Sequence, residues 1–396
     1  MTRLLLLSSM ALLLAASQLP LGGAQKPPRL SPGSVALCEE FAVGKSGRVL
    51  TVPVVWNGRV VEFMLDSGAA KTVIDSSLRS ELGKPIGEVD LITSAGTVTL
   101  ETFICPIAQL GSLEVQRIET VVSGDLEPLR FAVGKNIYGI LGMDFLGRYA
   151  VEIDFDEGKL RFWQSAPDDW RCADQRFPLL TRDGRPHVSA CIGGRRTLFI
   201  LDTGANRSHV SNDVFHALAD EDALRLAGSA LGMTLGGGIQ ASIGYANRFA
   251  IGEFSHQGIR FDSDAMSGLG LNYLSRYRLR CDFPNNVLYL CEGARFNRPE
   301  STATSGMAIA EIHGLKTVVA VEPGNAADTA GIRRGDVIKT IDGKSTNDFE
   351  MYDLRKLFTS RVGEQFHLEV EREQCVGKVL LTLRSRLPNT DAVVGR

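Results

Sequence analysis

Short hydrophobic runs rich in β-branched residues, separated by glycine and asparagine turns, make up most of the chain. Val52–Val55 and Val60–Leu65 flank an Asn-Gly pair, and Val188–Ile192 and Thr197–Leu201 flank a Gly-Gly pair. Runs of this kind around such pairs predict β-hairpins. Few segments have the period of a helix, and Asp213–Asp222 is the clearest of them. The pattern therefore predicts a mainly β protein.

The hydrophobic runs recur as two copies of one unit. Phe63–Ala69 returns as Phe199–Ala205 after 136 residues, and Ile140–Leu146 returns as Gly268–Leu274 after 128 residues. Within Gly139–Phe162, eight of 24 positions are identical to the second copy, where background composition gives about one or two. Two elements that repeat in the same order predict two copies of one fold.

Each copy carries one aspartate, Asp66 or Asp202, directly after an apolar run that predicts a buried strand. The next two residues are a hydroxyl residue and a glycine that permits a tight turn: Ser67 and Gly68, Thr203 and Gly204. One Asp-Ser/Thr-Gly sequence is typical of an ordinary turn, but two on matching strands favour a paired site. A pseudo-two-fold axis would bring the carboxyls about 3 Å apart, where they share one proton. Such a pair can activate a water molecule and protonate a substrate carbonyl.

With these motifs, residues 48–292 resemble the retropepsin-like aspartic peptidases. Asp66–Ala69 with Ile140–Gly142, and Asp202–Ala205 with Gly268–Gly270, match the two signatures of that family. The resemblance implies two pseudo-symmetric β lobes of the acid protease fold within one chain. It implies a catalytic dyad of Asp66 and Asp202 supported by the two hydroxyls, with no cofactor and no metal, in a monomer. Gly268 departs from the isoleucine usual there, and we expect looser packing behind Asp202.

Glycine-bearing hairpins that close over the substrate, called flaps, are a further feature that the resemblance implies. The candidates are the segments around Gly96 in the first copy and Gly237 in the second. The alternative is that both segments are plain turns between strands.

The C-terminal segment, residues 303–386, resembles a PDZ domain of the kind found in bacterial envelope proteases. The motifs are Val318–Ala327, Ala330–Ile338 and Ile341–Gly343. Such domains bind an extended peptide as an added strand and hold its terminal carboxylate on loop amides. The corresponding loop is Gly306-Met307-Ala308-Ile309, in which Ala308 replaces the second glycine. The implied partner of this domain is a peptide tail.

The N-terminus has the features of a secretory signal peptide. Arg3 precedes the apolar run Leu4–Ala16, and Gly22-Gly23-Ala24 supplies small residues for cleavage. The alternatives are a buried helix or a membrane anchor, although the run is short for a span of about 20 residues. We therefore expect export from a bacterial cytoplasm, no stable membrane span, and a periplasmic or secreted protein.

Composition excludes some further classes of function. The formal net charge is −3, so no basic surface indicates nucleic acid. The seven cysteines are an odd number at irregular spacing, which is neither a disulfide framework nor a zinc pattern.

The expected organisation follows the order signal peptide, linker, first lobe, connector, second lobe, linker, PDZ domain and tail. The corresponding residues are 1–24, 25–47, 48–165, 166–182, 183–297, 298–305, 306–386 and 387–396. The expected function is an aspartic endopeptidase that acts on extended polypeptides, with the PDZ domain recruiting or gating substrate. The alternative is a non-catalytic peptide-binding scaffold that retains the protease fold.

Overall fold

The computed structural model describes residues 36–45, 47, 49–172 and 175–387. The expected signal peptide, the first part of the N-terminal linker and nearly all of the tail lie outside the described residues. Across these described ranges, no helix is both long enough and apolar enough to cross a bilayer.

The first half of the chain, called lobe 1, consists almost entirely of short strands. They are β1 (Leu37–Ala42), β2 (Thr51–Trp56), β3 (Arg59–Leu65), β4 (Val73–Asp75), β5 (Gly87–Thr93), β6 (Gly96–Ile104), β7 (Ala108–Leu110), β8 (Leu113–Glu114), β9 (Thr120–Gly124), β10 (Ile137–Leu141), β11 (Ala150–Asp154) and β12 (Lys159–Trp163). Two helices, α1 (Glu127–Val133) and α2 (Met143–Leu146), and 3₁₀ turns at Ser76–Glu81, Val115–Ile118 and Asp168–Cys172 complete this part.

The second half, called lobe 2, repeats the pattern. Its strands are β13 (Gln175–Pro178), β14 (Leu180–Arg182), β15 (Arg185–Ile192), β16 (Arg195–Leu201), β17 (Ser208–Ser211), β18 (Leu224–Thr234), β19 (Gly237–Ala246), β20 (Phe249–Ile251), β21 (Phe254–His256), β22 (Ile259–Asp264), β23 (Gly268–Leu269), β24 (Tyr277–Asp282) and β25 (Val287–Glu292). Its helices are α3 (Asn212–Asp220) and α4 (Leu271–Leu274).

The two lobes have the same strand order. The main sheet of lobe 1 runs β5-β6-β9-β4-β10-β3-β2-β7-β8, and that of lobe 2 runs β18-β19-β22-β17-β23-β16-β15-β20-β21, with β14 beside β15. In each sheet a central strand, β3 or β16, pairs in parallel with the strand from the second motif. Because these strands lie in the middle of a sheet, their last three residues are fully buried. The predicted duplication and the mainly β fold are confirmed.

A third sheet joins the lobes, in the order β1-β12-β11-β24-β25-β13. Its central pair, β11 and β24, comes from different lobes and is antiparallel. Glu152 on β11 accepts hydrogen bonds from Arg161 at 2.5 Å and from Arg280 of lobe 2 at 2.7 Å. Because this carboxylate is buried, pairing with two guanidinium groups compensates for its lost hydration.

The C-terminal domain packs around its own apolar core. Its strands are β26 (Ala303–Thr304), β27 (Met307–Ile312), β28 (Leu315–Val321), β29 (Val337–Ile341), β30 (Lys344–Ser345), β31 (Gln365–Arg372), β32 (Cys375–Thr382) and β33 (Arg384–Ser385). Its helices are α5 (Ala326–Thr329) and α6 (Met351–Leu357), with a 3₁₀ turn at Thr346–Asp348. The sheet runs β27-β28-β29-β31-β32, so β27 is an edge strand. Residues 303–304, expected in a linker, instead pair with β33.

Candidate active site

Two equivalent strand ends deliver the aspartates. Asp66 follows β3, and its backbone N–H donates to Leu141 O at 3.0 Å. Asp202 follows β16, and its backbone N–H donates to Leu269 O at 3.1 Å. The hydrophobic run before each acid makes the central strand of a sheet, so the position of the acid is fixed by the core behind it.

Reciprocal hydrogen bonds lock the two aspartate turns together. The Ser67 hydroxyl donates to Leu201 O at 2.5 Å, and the Thr203 hydroxyl donates to Leu65 O at 3.1 Å. In return each hydroxyl accepts the backbone N–H of the other, at 3.0 and 3.1 Å. Ser67 and Thr203 are both buried. Four bonds across the pseudo-two-fold axis therefore set the separation of the acids.

The carboxyls of Asp66 and Asp202 face each other within hydrogen-bonding reach. One oxygen of Asp66 accepts the N–H groups of Gly68 and Ala69 at 2.7 and 3.1 Å, and one oxygen of Asp202 accepts those of Gly204 and Ala205 at 3.0 and 2.8 Å. A Cβ on Gly68 would lie 2.6 Å from the Asp202 carboxyl carbon. Only glycine therefore fits between each acid and the opposite turn.

Burial and mutual repulsion shift the titration of the pair. Burial raises the pKa of Asp66 to about 8, and the negative charge of Asp202 adds to that effect. Burial raises the pKa of Asp202 to about 6, against the N–H groups of Ala205 and Gly204, which lower it. The nearby carboxylate of Asp264 raises the Asp202 pKa further. The two acids titrate as one coupled pair that holds a single proton near neutral pH.

A second layer of polar side chains supports each turn. In lobe 1 Thr72 donates through N–H and hydroxyl to Asp144, at 2.9 and 2.6 Å. In lobe 2 Ser208 donates in the same way to Asn272, at 2.6 and 2.8 Å. Sequence reasoning missed this layer, although Asp144 and Asn272 occupy matching positions in the second repeated motif and could have been paired.

Gly268 does not leave the expected gap behind Asp202. A Cβ at this position would lie 2.6 Å from the His209 ring. In lobe 1 the same pair of positions is Ile140 opposite Val73. The larger imidazole in lobe 2 fills the space left by the smaller residue, so the expected loosening is wrong.

The flap candidates lie in equivalent hairpins over the acids. Gly96 begins β6 and Gly237 begins β19, with positive φ angles of 116° and 110°. The hairpin tips touch, because a Cβ on Gly236 would lie 2.7 Å from the Thr93 hydroxyl and 2.9 Å from the Ala95 Cβ. Movement of these hairpins over a substrate stays a prediction.

One cavity of about 1240 Å³ contains the carboxyls and runs beneath both hairpins. Pockets that hold drug-sized ligands have volumes of about 300–1,000 Å³, so this larger cavity suits a longer molecule. The PDZ loop candidates, residues 306–309, line the same cavity. Within the loop, the N–H groups of Gly306 and Met307 bond to Thr304 and Ser305 hydroxyls at 3.0 and 3.3 Å.

Among the described residues, no three His, Cys, Asp or Glu side chains come close enough together to hold a metal ion. The two carboxyls of the site are suited to proton transfer.

Comparison with protein-family models matches residues 52–145 and 188–263 to the family described as aspartyl protease, and residues 317–372 to the PDZ domain. No curated protein matches the chain. Among solved structures, the photosystem II D1 C-terminal processing protease is similar at 25% identity and a TM-score of 0.20. That similarity covers 22% of this chain and 25% of the other.

Proposed function

We propose that this chain, whose two lobes belong to the retropepsin-like aspartyl protease family and whose C-terminal domain is a PDZ domain, is an aspartic endopeptidase. The observation that carries the proposal is the pair of half-buried carboxyls, Asp66 and Asp202, which face each other at the ends of two equivalent strands. Both acids are present, and both are held by the backbone of their own turn and by the hydroxyl lock between the turns.

The proposed reaction needs one proton on the pair. Asp66, which has the higher pKa, holds that proton, and Asp202 is ionised. Asp202 takes a proton from a water molecule while the water oxygen attacks the scissile carbonyl carbon. Asp66 donates its proton to the carbonyl oxygen, which gives an intermediate with two hydroxyl groups on that carbon. In the second step Asp202 gives the proton that it took from water to the amide nitrogen, and the C–N bond breaks. Asp66 takes back a proton from one of the two hydroxyl groups, so a carboxylic acid and an amine are released.

The proposed substrate is an extended polypeptide. The cavity lies between two flap hairpins, whose strands can hydrogen-bond to an extended chain. The PDZ domain recruits or gates that chain, because its loop lines the same cavity. The proposed setting, on the expected signal peptide, is the periplasm or the cell exterior.

The test is cleavage of a denatured protein mixture by residues 25–396, scanned from pH 3 to 9 and read out by mass spectrometry. We expect cuts from the unmodified protein that are absent with Asp66→Asn and with Asp202→Asn. Asp213→Asn, which removes an exposed carboxylate of lobe 2, is the matched control and should cut normally. Cuts that persist in both dyad variants would indicate a contaminant, and no cuts from any variant would favour the scaffold alternative.

A further inference from the structure

Helix α1 is a segment that only lobe 1 possesses. Twelve residues separate β9 from β10, and they include α1. At the equivalent place in lobe 2, three residues separate β22 from β23. The α1 segment is therefore an addition to the duplicated fold, and its contacts indicate what the addition does.

Lobe 1 anchors the beginning of this segment. The buried Asp75 carboxylate accepts the Leu126 N–H at 3.0 Å and pairs with Arg130 at 3.0 Å. Burial by itself raises the pKa of Asp75, but hydrogen bonds from Ser77 and Leu126 lower it overall, so the carboxylate is charged. In lobe 2 the equivalent residue is Ser211, which makes no such anchor.

The PDZ domain holds the other end of α1. Arg355 on α6 donates to Ala132 O at 2.6 Å and to Phe131 O at 3.0 Å, and its guanidinium lies over the Phe131 ring. These carbonyls are in the last turn of α1, where backbone acceptors have no partner within the helix and a cation is favoured. A helix of seven residues is marginal by itself, so it depends on contacts of this kind.

Arg355 also reaches the PDZ edge strand. It donates to Ile309 O on β27 at 3.1 Å. Burial lowers the pKa of its guanidinium, and within the described part of the chain no carboxylate forms an ion pair with it. All three bonds go to backbone carbonyls, so this side chain joins α1, α6 and β27.

Helix α1 forms part of the cleft wall. Leu129, Phe131 and Val133 are half-buried and line the cavity that contains the dyad. The helix also packs against β18, the first strand of the lobe 2 flap. The PDZ domain also touches that flap directly, since a Cβ on Gly228 would lie 2.9 Å from a Glu322 carboxylate oxygen.

We infer that the PDZ domain builds one wall of the peptidase cleft, with Arg355 as the positioning residue that fixes α1 as an apolar subsite for substrate side chains. This inference rests on the proposed function and names a second role for the PDZ domain besides recruitment. Arg355 does not touch the carboxyls, so its loss weakens substrate binding while the chemical step is unchanged.

The first test separates binding from chemistry. A fluorogenic peptide copied from the sequence most often cut in the denatured mixture is assayed with the unmodified protein, Arg355→Ala and Arg355→Lys. We expect Arg355→Ala to raise KM about ten-fold, with kcat within about two-fold, and to reduce the preference for apolar residues at one subsite. Arg355→Lys should fall between, because a lysine ammonium cannot reach three acceptors as a planar fork. Lys356→Ala, an exposed neighbour on the same helix, should behave like the unmodified protein.

The second test does not need activity. Hydrogen exchange of the amides in α1 should be about ten-fold faster or more in Arg355→Ala than in Lys356→Ala, because the carbonyl contacts that order the helix are gone. If the amides of β29 and β31 also exchange faster in Arg355→Ala, the PDZ core has opened in that variant. The exchange of α1 is then compared between Arg355→Lys and Lys356→Ala instead.

The outcomes distinguish the two proposals. Unchanged α1 exchange and unchanged KM in an active enzyme would overturn the inference and leave the endopeptidase proposal intact. No activity in any variant would overturn the endopeptidase proposal, and exchange alone would then decide whether Arg355 holds α1.

Discussion

Lobe 1 and lobe 2 have nine equivalent strands in the same order in their main sheets, but they differ in what surrounds those strands. Lobe 1 carries α1, which is anchored by Asp75 at its beginning and bonded to the PDZ domain at its end. Lobe 2 has no such helix, and its flap strands are longer, with 11 and 10 residues against 7 and 9. The features that hold the dyad are duplicated, whereas the features around it are specific to one lobe.

The two lobes also give their aspartates different electrostatic surroundings. Asp264 raises the pKa of Asp202, and the equivalent residue beside Asp66 is Gly124. The supporting layer contains Asp144 in lobe 1 and Asn272 in lobe 2. The comparison indicates that a symmetric backbone can hold its two acids in chemically different surroundings.

The largest expected effect tests whether the two lobes contribute equally to the reaction. Asp66→Asn and Asp202→Asn should each lower kcat/KM by about 10³-fold or more. The double variant should be no worse than either single variant, because the acids act as one unit. Progress curves on the fluorogenic peptide measure this, and additive losses would show that the acids act independently.

The hydroxyl lock should be equally important on both sides. Ser67→Ala and Thr203→Ala each remove two hydrogen bonds and leave a buried N–H and a buried carbonyl without partners. We expect each to lower the free energy of unfolding by about 2–4 kcal/mol. Urea denaturation measures the loss, and Ser80→Ala, at an exposed position of lobe 1, is the control. A loss at one position only would mean that one lobe positions the pair.

A swap of core residues tests the divergence behind the acids. Gly268→Ile places a large side chain against His209, and we expect it to lower the free energy of unfolding by about 1–3 kcal/mol. Adding His209→Val recreates the Val73–Ile140 pair of lobe 1 and should recover most of that loss. Thermal unfolding of the unmodified protein, the single variant and the double variant measures these changes. A double variant less stable than Gly268→Ile alone would show that His209 does not compensate for Gly268.

The pH dependence of stability has a definite sign. Both acids have folded pKa values above their ordinary value, so the folded state holds more protons than the unfolded state from about pH 4 to 8. Their contribution to the free energy of unfolding is greatest below that range and falls as the pH rises through it. Asp66→Asn should therefore be more thermostable than the unmodified protein at pH 8, with a smaller difference at pH 4.

The smallest expected effect concerns the carboxylate that only lobe 2 has. Activity needs one proton on the pair, so the rate should be bell-shaped in pH, with limbs near about 6 and 8. Asp264→Asn removes a negative charge that raises the Asp202 pKa, so the acidic limb should move to lower pH by a fraction of a unit. A shift of the basic limb alone would contradict this assignment.

The sequence predicted the duplication and placed both aspartates on matching strands, because a repeated apolar run is a local signal. The expected helix over Asp213–Asp222 is confirmed as α3, within two residues at its end. The change in repeat spacing from 136 to 128 residues indicates eight extra residues between the two motifs of lobe 1, but it does not indicate that they form a helix. The flap of lobe 2 is longer than that of lobe 1, so the difference in repeat spacing is smaller than the length of the α1 segment.

Other features could not be predicted, since they depend on contacts between distant residues. No pattern in the neighbouring sequence predicts that His209 packs against Gly268 or that Asp264 lies beside Asp202. Arg355 lies more than 220 positions along the chain from the carbonyls that it caps. A single arginine in an amphipathic helix is usually a solvated side chain, so only the fold reveals its partners.

The sheet that joins the lobes also determines when during synthesis the site can exist. One edge of β11 remains unpaired until β24, which ends at Asp282, has been synthesised. Asp202 is made earlier, but the strands that hold it opposite Asp66 are not yet complete. On the proposed function, we therefore expect a truncation before residue 282 to leave an inactive and aggregation-prone lobe.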